Sequence, residues 1–247
     1  MHLIDKIISN KDSKIRLLCF HYAGGSSVSF YSWKNRILHP AELMAVDLPG
    51  RGRSIIEPLL SNIDDVTTTL LQYIKHYTDK PLVFFGHSVG SLICFELAKV
   101  MKAEGLQPPV HLILSGCIAP QNLYKRRQIC DFDTKEFVEA LKLYNGISQE
   151  VLNEPSLMEI FLPIIRADIS IIEKYKYRGN DPLNCNITTI GSTDDPTVLI
   201  EDIKPWISHT SMQYDHHTLK GNHFFIRTDI ERLLDIINHI IAKYCYY

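Results

Sequence analysis

Residues 81–101, Pro81-Leu-Val-Phe-Phe-Gly86-His-Ser88-Val-Gly90-Ser-Leu-Ile-Cys-Phe-Glu-Leu-Ala-Lys-Val-Met101, decide the fold. The apolar run 81–85 reads as a buried strand, Val89–Met101 reads as a helix, and Gly86-His87-Ser88-Val89-Gly90 is the turn between them. Strand, G-x-S-x-G turn and helix in that order make a nucleophile elbow, a sharp bend that forces its serine into a strained conformation and projects the hydroxyl. The bare string is common. Its flanks, and two further residues in the expected chain order, give it weight. The backbone N–H of Val89, at the start of the following helix, points where negative charge develops when Ser88 attacks a carbonyl, so Val89 is one expected oxyanion donor.

Working outward, short apolar runs alternate with longer helical patterns. Strands are predicted at Arg16–Phe20, Glu42–Val46, Leu82–Phe85, His111–Ser115, Ile187–Ile190 and Gln213–Leu219, and helices at Ile63–Tyr77 and Val89–Met101. Ile230, Leu233, Leu234, Ile237, Ile240 and Ile241 recur at helical spacing and predict a closing helix with one apolar face. This alternation is the signature of an α/β fold with a mainly parallel sheet and helices on both faces. From about 121 to 181 no strand is expected. The capping box Asp133-Thr-Lys-Glu136 opens one helix there, and a second, Ser156–Asp168, is expected to kink or split at Pro163. The reading is a single domain, 1–247, with a helical lid insertion at about 121–181.

A serine hydroxyl needs a base within hydrogen-bond reach and a group that orients the base. His223, in Lys220-Gly-Asn-His-Phe-Phe225, follows the last predicted strand and is the expected base. The acid should follow the preceding strand, where Gly191-Ser-Thr-Asp-Asp-Pro-Thr-Val198 offers two adjacent carboxylates. Asp195, just before Pro196, is the preferred member, and Asp194 is the alternative. The second oxyanion donor is expected in the glycine-bearing loop Phe20-His-Tyr-Ala-Gly-Gly25, at the N–H of Ala23. Phosphate cradling by the same Gly-Gly turn is a weak alternative, because the chain has no G-x-x-x-x-G-K or G-x-G-x-x-G pattern. A metal reading of His209, His216 and His217 lacks ligand spacing, so no metal is expected.

A net charge of −2 over 247 residues gives no whole-chain attraction to nucleic acid or to an anionic membrane. Six dispersed cysteines without a C-x-x-C pair suit a reducing compartment, and no stretch is long and apolar enough to cross a bilayer. With no apolar leader in its first ten residues, the chain reads as cytoplasmic.

These pieces, together with Asp47-Leu-Pro-Gly-Arg-Gly-Arg53 and Phe161-Leu-Pro-Ile-Ile-Arg-Ala-Asp168, resemble in kind and order the type II thioesterases that accompany nonribosomal peptide and polyketide synthases, within the α/β-hydrolase superfamily. The resemblance runs from near residue 17 to the C-terminus. His21 stands where proline is common and Val89 where methionine is common, and both leave the backbone donors available. The resemblance implies an α/β-hydrolase fold, a monomer, no cofactor, and a substrate that is an acyl thioester on the phosphopantetheine arm of an acyl or peptidyl carrier protein. A small-molecule carboxylesterase or lipase, or an acyltransferase using the same three residues, is the alternative. Carrier proteins are acidic, so Lys125-Arg126-Arg127, Arg51 and Arg53 are candidate docking cations, with solvated surface charge the preferred reading for each. Phe30, Trp33, Phe132, Phe161 and Ile165 are candidate pocket-lining residues, but ordinary core packing is the preferred reading for each.

Overall fold

The computed structural model describes residues 2–143, 147, 149–179 and 181–245. Seven strands among them form one sheet: β1 (Ile4–Ile8), β2 (Ile15–Phe20), β3 (Ala41–Val46), β4 (Leu82–His87), β5 (His111–Ser115), β6 (Asn186–Ser192) and β7 (Tyr214–Leu219). Their order is β1-β3-β2-β4-β5-β6-β7. All neighbours are parallel except β1, which runs antiparallel to β3 at the edge. The six predicted strands are all present within one or two residues of their expected ends. β1 lies outside the six expected strands, because Ile-Asp-Lys-Ile-Ile carries only a short and weak apolar alternation.

The helices are α1 (Ile63–Ile74), α2 (Val89–Ala103), α3 (Thr134–Leu143), α4 (Gln149–Asn153), α5 (Pro155–Glu173), α6 (Ile200–Ile203), α7 (Phe225–Thr228) and α8 (Ile230–Cys245). Alternate side chains of each strand serve opposite faces of the sheet. On β2, Leu18 and Phe20 join α1 and α2 in one core, while Ile15, Leu17 and Cys19 join α8 in the other. On β4 the same split puts Leu82 and Phe84 on the first face and Val83 and Phe85 on the second. Burying each such side chain stabilises the fold by roughly 1.5–3 kcal/mol. The doubly covered, mainly parallel sheet is the α/β-hydrolase arrangement that the sequence implied.

Between β5 and β6 lie α3, α4 and α5, with a small core of their own built from Ile129, Phe137, Ala140, Leu141 and Ile165. Asp133 opens α3 by accepting the Glu136 N–H at 2.8 Å, the bond that the capping box predicts. Of the kink or split expected at Pro163, the split does not occur: α5 continues through it as one helix. The carbonyl one turn back that the proline cannot bond belongs to exposed Glu159, and Ile164, Ile165, Ile171 and Ile172 bury the stretch that follows. Residues 144–146, 148 and 180 of the expected insertion, and 1 and 246–247 of the expected domain, lie outside the described residues.

Because β2, β4, β6 and β7 are parallel, the loops after them emerge together at the carboxyl edge of the sheet, where ligands bind in folds of this kind. Those four loops carry Ala23, Ser88, Asp195 and His223.

Candidate active site

Ser88 has φ 56° and ψ −120°, the only positive φ outside glycine among the described residues. The strain expected of the elbow is therefore present. It is held in place by the Ser88 N–H, which donates to the Ser115 carbonyl at 2.8 Å. Ser91, one turn into α2, adds to this hold. Its hydroxyl lies 2.8 Å from the Gly86 carbonyl and 3.0 Å from that of Ser115, and it accepts the Ser115 N–H at 3.0 Å. The turn also packs hard on β2: a Cβ on Gly90 would lie 2.4 Å from the Phe20 carbonyl oxygen, a distance no side chain tolerates.

His223 Nε2 lies 2.9 Å from Ser88 Oγ, and His223 Nδ1 lies 2.6 Å from Asp195 Oδ2. An ionised carboxylate only accepts, so Nδ1 carries the proton and the Nε2 lone pair faces the serine hydroxyl. Asp195 is buried, and burial pulls its pKa upward. The bonds from His223 and from the N–H and hydroxyl of Thr197 outweigh that and hold its carboxyl below the usual range. Asp194 is exposed and faces the other way, accepting the Gly221 N–H at 3.3 Å. Of the two carboxylates, Asp195 is the one the fold brings to the imidazole.

Val89 opens α2, so its N–H has no carbonyl one turn behind it in the helix. Ala23 and Ser88 both line one cavity of about 430 Å³, along with His223. Its apolar wall comes from Ile118, Ile129, Leu141, Ile165 and Ile169, and Lys125, Arg126 and Arg127 line it as well, with Glu173 and Asp202.

The structure sorts the remaining candidates, and it corrects the reading of Arg51. Phe30 and Trp33 are fully buried against Phe85 in the α8-side core, on the face away from the α2 helix and its elbow. Phe132 and Phe161 pack partly buried on the small α3–α5 core, and of the five candidates Ile165 alone lines the cavity. Arg51 is no surface cation: it is 4% exposed and fork-bonded to Asp168, which is 0% exposed. Arg53 stays exposed, beside His2 and Asp5. The three histidines have separate surroundings: His209 meets Phe95 and Trp206 edge to face, His216 bonds Thr189, and His217 is exposed on β7.

The thioesterase-domain family model matches residues 15–244. The chain belongs to the thioesterase family. This thioesterase is 33% identical over 217 residues to the gramicidin S biosynthesis protein GrsT of Aneurinibacillus migulanus, a match covering 88% of this chain and 85% of that protein. Among solved structures, YbtT, a type II thioesterase from the yersiniabactin NRPS/PKS biosynthetic pathway, superposes with a TM-score of 0.88 at 26% identity, covering 98% of this chain and 99% of that one. RedJ, a thioesterase from the prodiginine pathway of Streptomyces coelicolor, superposes with a TM-score of 0.87 at 28% identity, covering 92% and 91%.

The structure also brings to the thioesterase site residues that sequence reasoning passed over. His87, the variable position before the serine, places its Nε2 2.9 Å from the His223 backbone carbonyl and its Nδ1 2.9 Å from Ser115 Oγ. Burial, with His223 nearby, pushes the His87 pKa down to about 3, so it is neutral and its Nε2–H donates to that carbonyl. Thr197 steadies Asp195 and also lies 3.3 Å from His223 Nδ1. Thr197 follows the acid by two residues, a turn spacing that offered a signal; nothing local to His87 announced its partner 136 residues away.

Proposed function

We propose that this thioesterase is an editing, type II enzyme that hydrolyses acyl thioesters from the phosphopantetheine arm of acyl or peptidyl carrier proteins of a nonribosomal peptide or polyketide synthase. The observation that carries the reading is the continuous chain Ser88 Oγ, His223 and Asp195, at 2.9 and 2.6 Å, opening into a mostly apolar cavity in a thioesterase-family chain. Ser88 attacks the thioester carbonyl as its proton passes to His223 Nε2. The N–H groups of Ala23 and Val89 hold the oxyanion, and the thiol leaves with the proton from His223. A water then gives its proton to His223 and its oxygen to the acyl carbon, releasing the acid and restoring Ser88. Asp195 keeps the imidazole in the tautomer that accepts from Ser88. The residues named supply each proton transfer, and α3–α5 act as the lid of a single domain. The protein works as a cytoplasmic monomer. No described helix is long and apolar enough to cross a membrane.

The test is deacylation of acetyl-loaded, phosphopantetheinylated carrier protein, followed by the mass of the carrier, with wild type beside Ser88→Ala. Loss of the acetyl group with wild type alone is the expected result. An intact acetyl carrier beside brisk hydrolysis of a simple oxygen ester would move the assignment to a carboxylesterase.

Recognition of the carrier falls to the cations that line the cavity. Lys125 is neutralised by Asp202 at 2.5 Å, while Arg127 lies over the Phe132 ring at 5.4 Å. Arg126 buries its Nη1 without a hydrogen-bond partner among the described residues. Reversing Arg126 and Arg127 to glutamate is expected to lower kcat/KM for the acetyl carrier about 10-fold, through slower association with an acidic partner. Turnover of a small soluble thioester should stay within threefold. Equal losses on both substrates would place these arginines in cavity architecture instead of docking.

A further inference from the structure

The segments 47–53 and 161–168, both prominent in the sequence, meet at one point. Asp168 lies on α5, fully buried, and its carboxylate takes three bonds: Arg51 Nη1 donates to Oδ2 at 2.6 Å, Arg51 Nη2 to Oδ1 at 2.7 Å, and the Gly24 N–H to Oδ2 at 2.8 Å. Arg51 Nη1 also lies 3.3 Å from the Gly25 carbonyl oxygen. The pair therefore grips the two residues that follow Ala23, Gly24 by its N–H and Gly25 by its carbonyl oxygen. Gly24 has φ +75°, and a Cβ there would lie 2.6 Å from Ile165 Cγ1 on the same helix, so α5 presses directly on the loop. The Gly25 N–H closes the turn onto the Tyr22 carbonyl at 2.8 Å. Ala23 is bracketed on both sides.

A buried ion pair is a poor source of stability, since apolar side chains of similar volume commonly replace one without loss. Its value here is geometric. The geometry points to Arg51 and Asp168 as positioning residues for the oxyanion: anchored from α5, they fix the loop so that the Ala23 N–H meets the oxygen of the tetrahedral intermediate. This rests on the reading of Ala23 as an oxyanion donor, and it ties the helix that walls the acyl cavity to the donor that stabilises its chemistry.

The test uses the full-length enzyme and a small acyl thioester. Arg51→Met with Asp168→Leu removes the pair without leaving a lone buried charge, and Arg51→Lys keeps the charge while losing the forked grip. Each is assayed for kcat, KM, thermal midpoint, and inhibition by a trifluoromethyl ketone matched to the acyl chain. Ser88 Oγ adds to the ketone carbon, the serine proton passes to His223, and the ketone oxygen becomes an oxyanion in the same hole. In folded variants the expected result is a 10- to 100-fold fall in kcat with KM within threefold. The inhibition constant for the ketone should rise in step with the loss in kcat/KM. A variant with near-native kcat, or one in which only KM changes while the ketone binds as tightly as to wild type, overturns the proposal and leaves the pair as a packing device. A ketone that binds wild type no better than its unfluorinated parent overturns the oxyanion reading beneath it as well.

Discussion

A Ser88→Ala, His223→Ala double variant is expected to cleave an acyl thioester no more slowly than either single variant, each of them down by roughly 10⁴- to 10⁶-fold in kcat. The reason lies in the 2.9 Å contact between Ser88 Oγ and His223 Nε2. Without the imidazole the hydroxyl keeps its proton, and without the hydroxyl the imidazole has no nucleophile to activate, so the first loss is nearly the whole loss. What survives is the binding and oxyanion contribution, on the order of 10³-fold over water. Asp195→Asn tests the third member: it preserves shape while inviting the wrong tautomer at the 2.6 Å contact with Nδ1, and a fall of about 10⁴-fold is expected. Kinetics of the four proteins on one soluble thioester decide the matter. Losses that multiply in the double variant would show that Ser88 and His223 act independently.

The second large effect is on stability in acid. Four histidines are buried by the fold and kept neutral. Burial above all pushes His87 and His111 down to about 3, and His21 and His209 down to about 4, from an ordinary value of 6.5. Between pH 6.5 and 4 the unfolded chain therefore binds protons that the folded chain refuses, and stability must fall as pH falls. Each group contributes up to about 1.4 kcal/mol per pH unit, so four make a loss of about 5 kcal/mol between pH 7.5 and 5.5, against a typical total of about 5–15 kcal/mol. Asp195, whose pKa is held low in the folded state, adds a loss of the same sign in stronger acid. Urea midpoints measured at several pH values check this. His111→Gln, which can keep partners for Tyr244 and Thr188, should lower the slope by about one proton's worth. A midpoint indifferent to pH over this range would show that these histidines are not excluded from protonation.

The elbow was legible because every part of it is local: a strand, two glycines and a helix start within twenty residues of one another. Asp195 and His223 were legible because a parallel sheet sends each loop to the same edge, so chain order alone places them. The misreadings share a different cause. Arg51 reads as a solvated cation because its partner Asp168 is 117 residues away, and a charge is buried only where the fold supplies its counter-charge. Pro163 reads as a break because propensity counts the missing N–H but not the packing of the helix that follows it. Phe30 and Trp33, by contrast, pack onto Phe85 as the core residues that their apolar character favours. Strand β1 is held by pairing with β3 more than by its own pattern.

Pro163 has one more consequence. On its C-terminal side α5 is fastened many times over: Asp168 to Arg51 and Gly24, Arg166 to the Phe132 carbonyl, and Glu173 to the amides of Ile129 and Cys130. On its N-terminal side, residues 155–162 are exposed or half-exposed and reach the rest of the helix across a missing rung of the backbone ladder. Inheritance can act on the two halves separately. Substitutions ahead of the proline are expected to leave untouched both the bonds that fasten the second half and the cavity wall at Ile165 and Ile169, which lie beyond it.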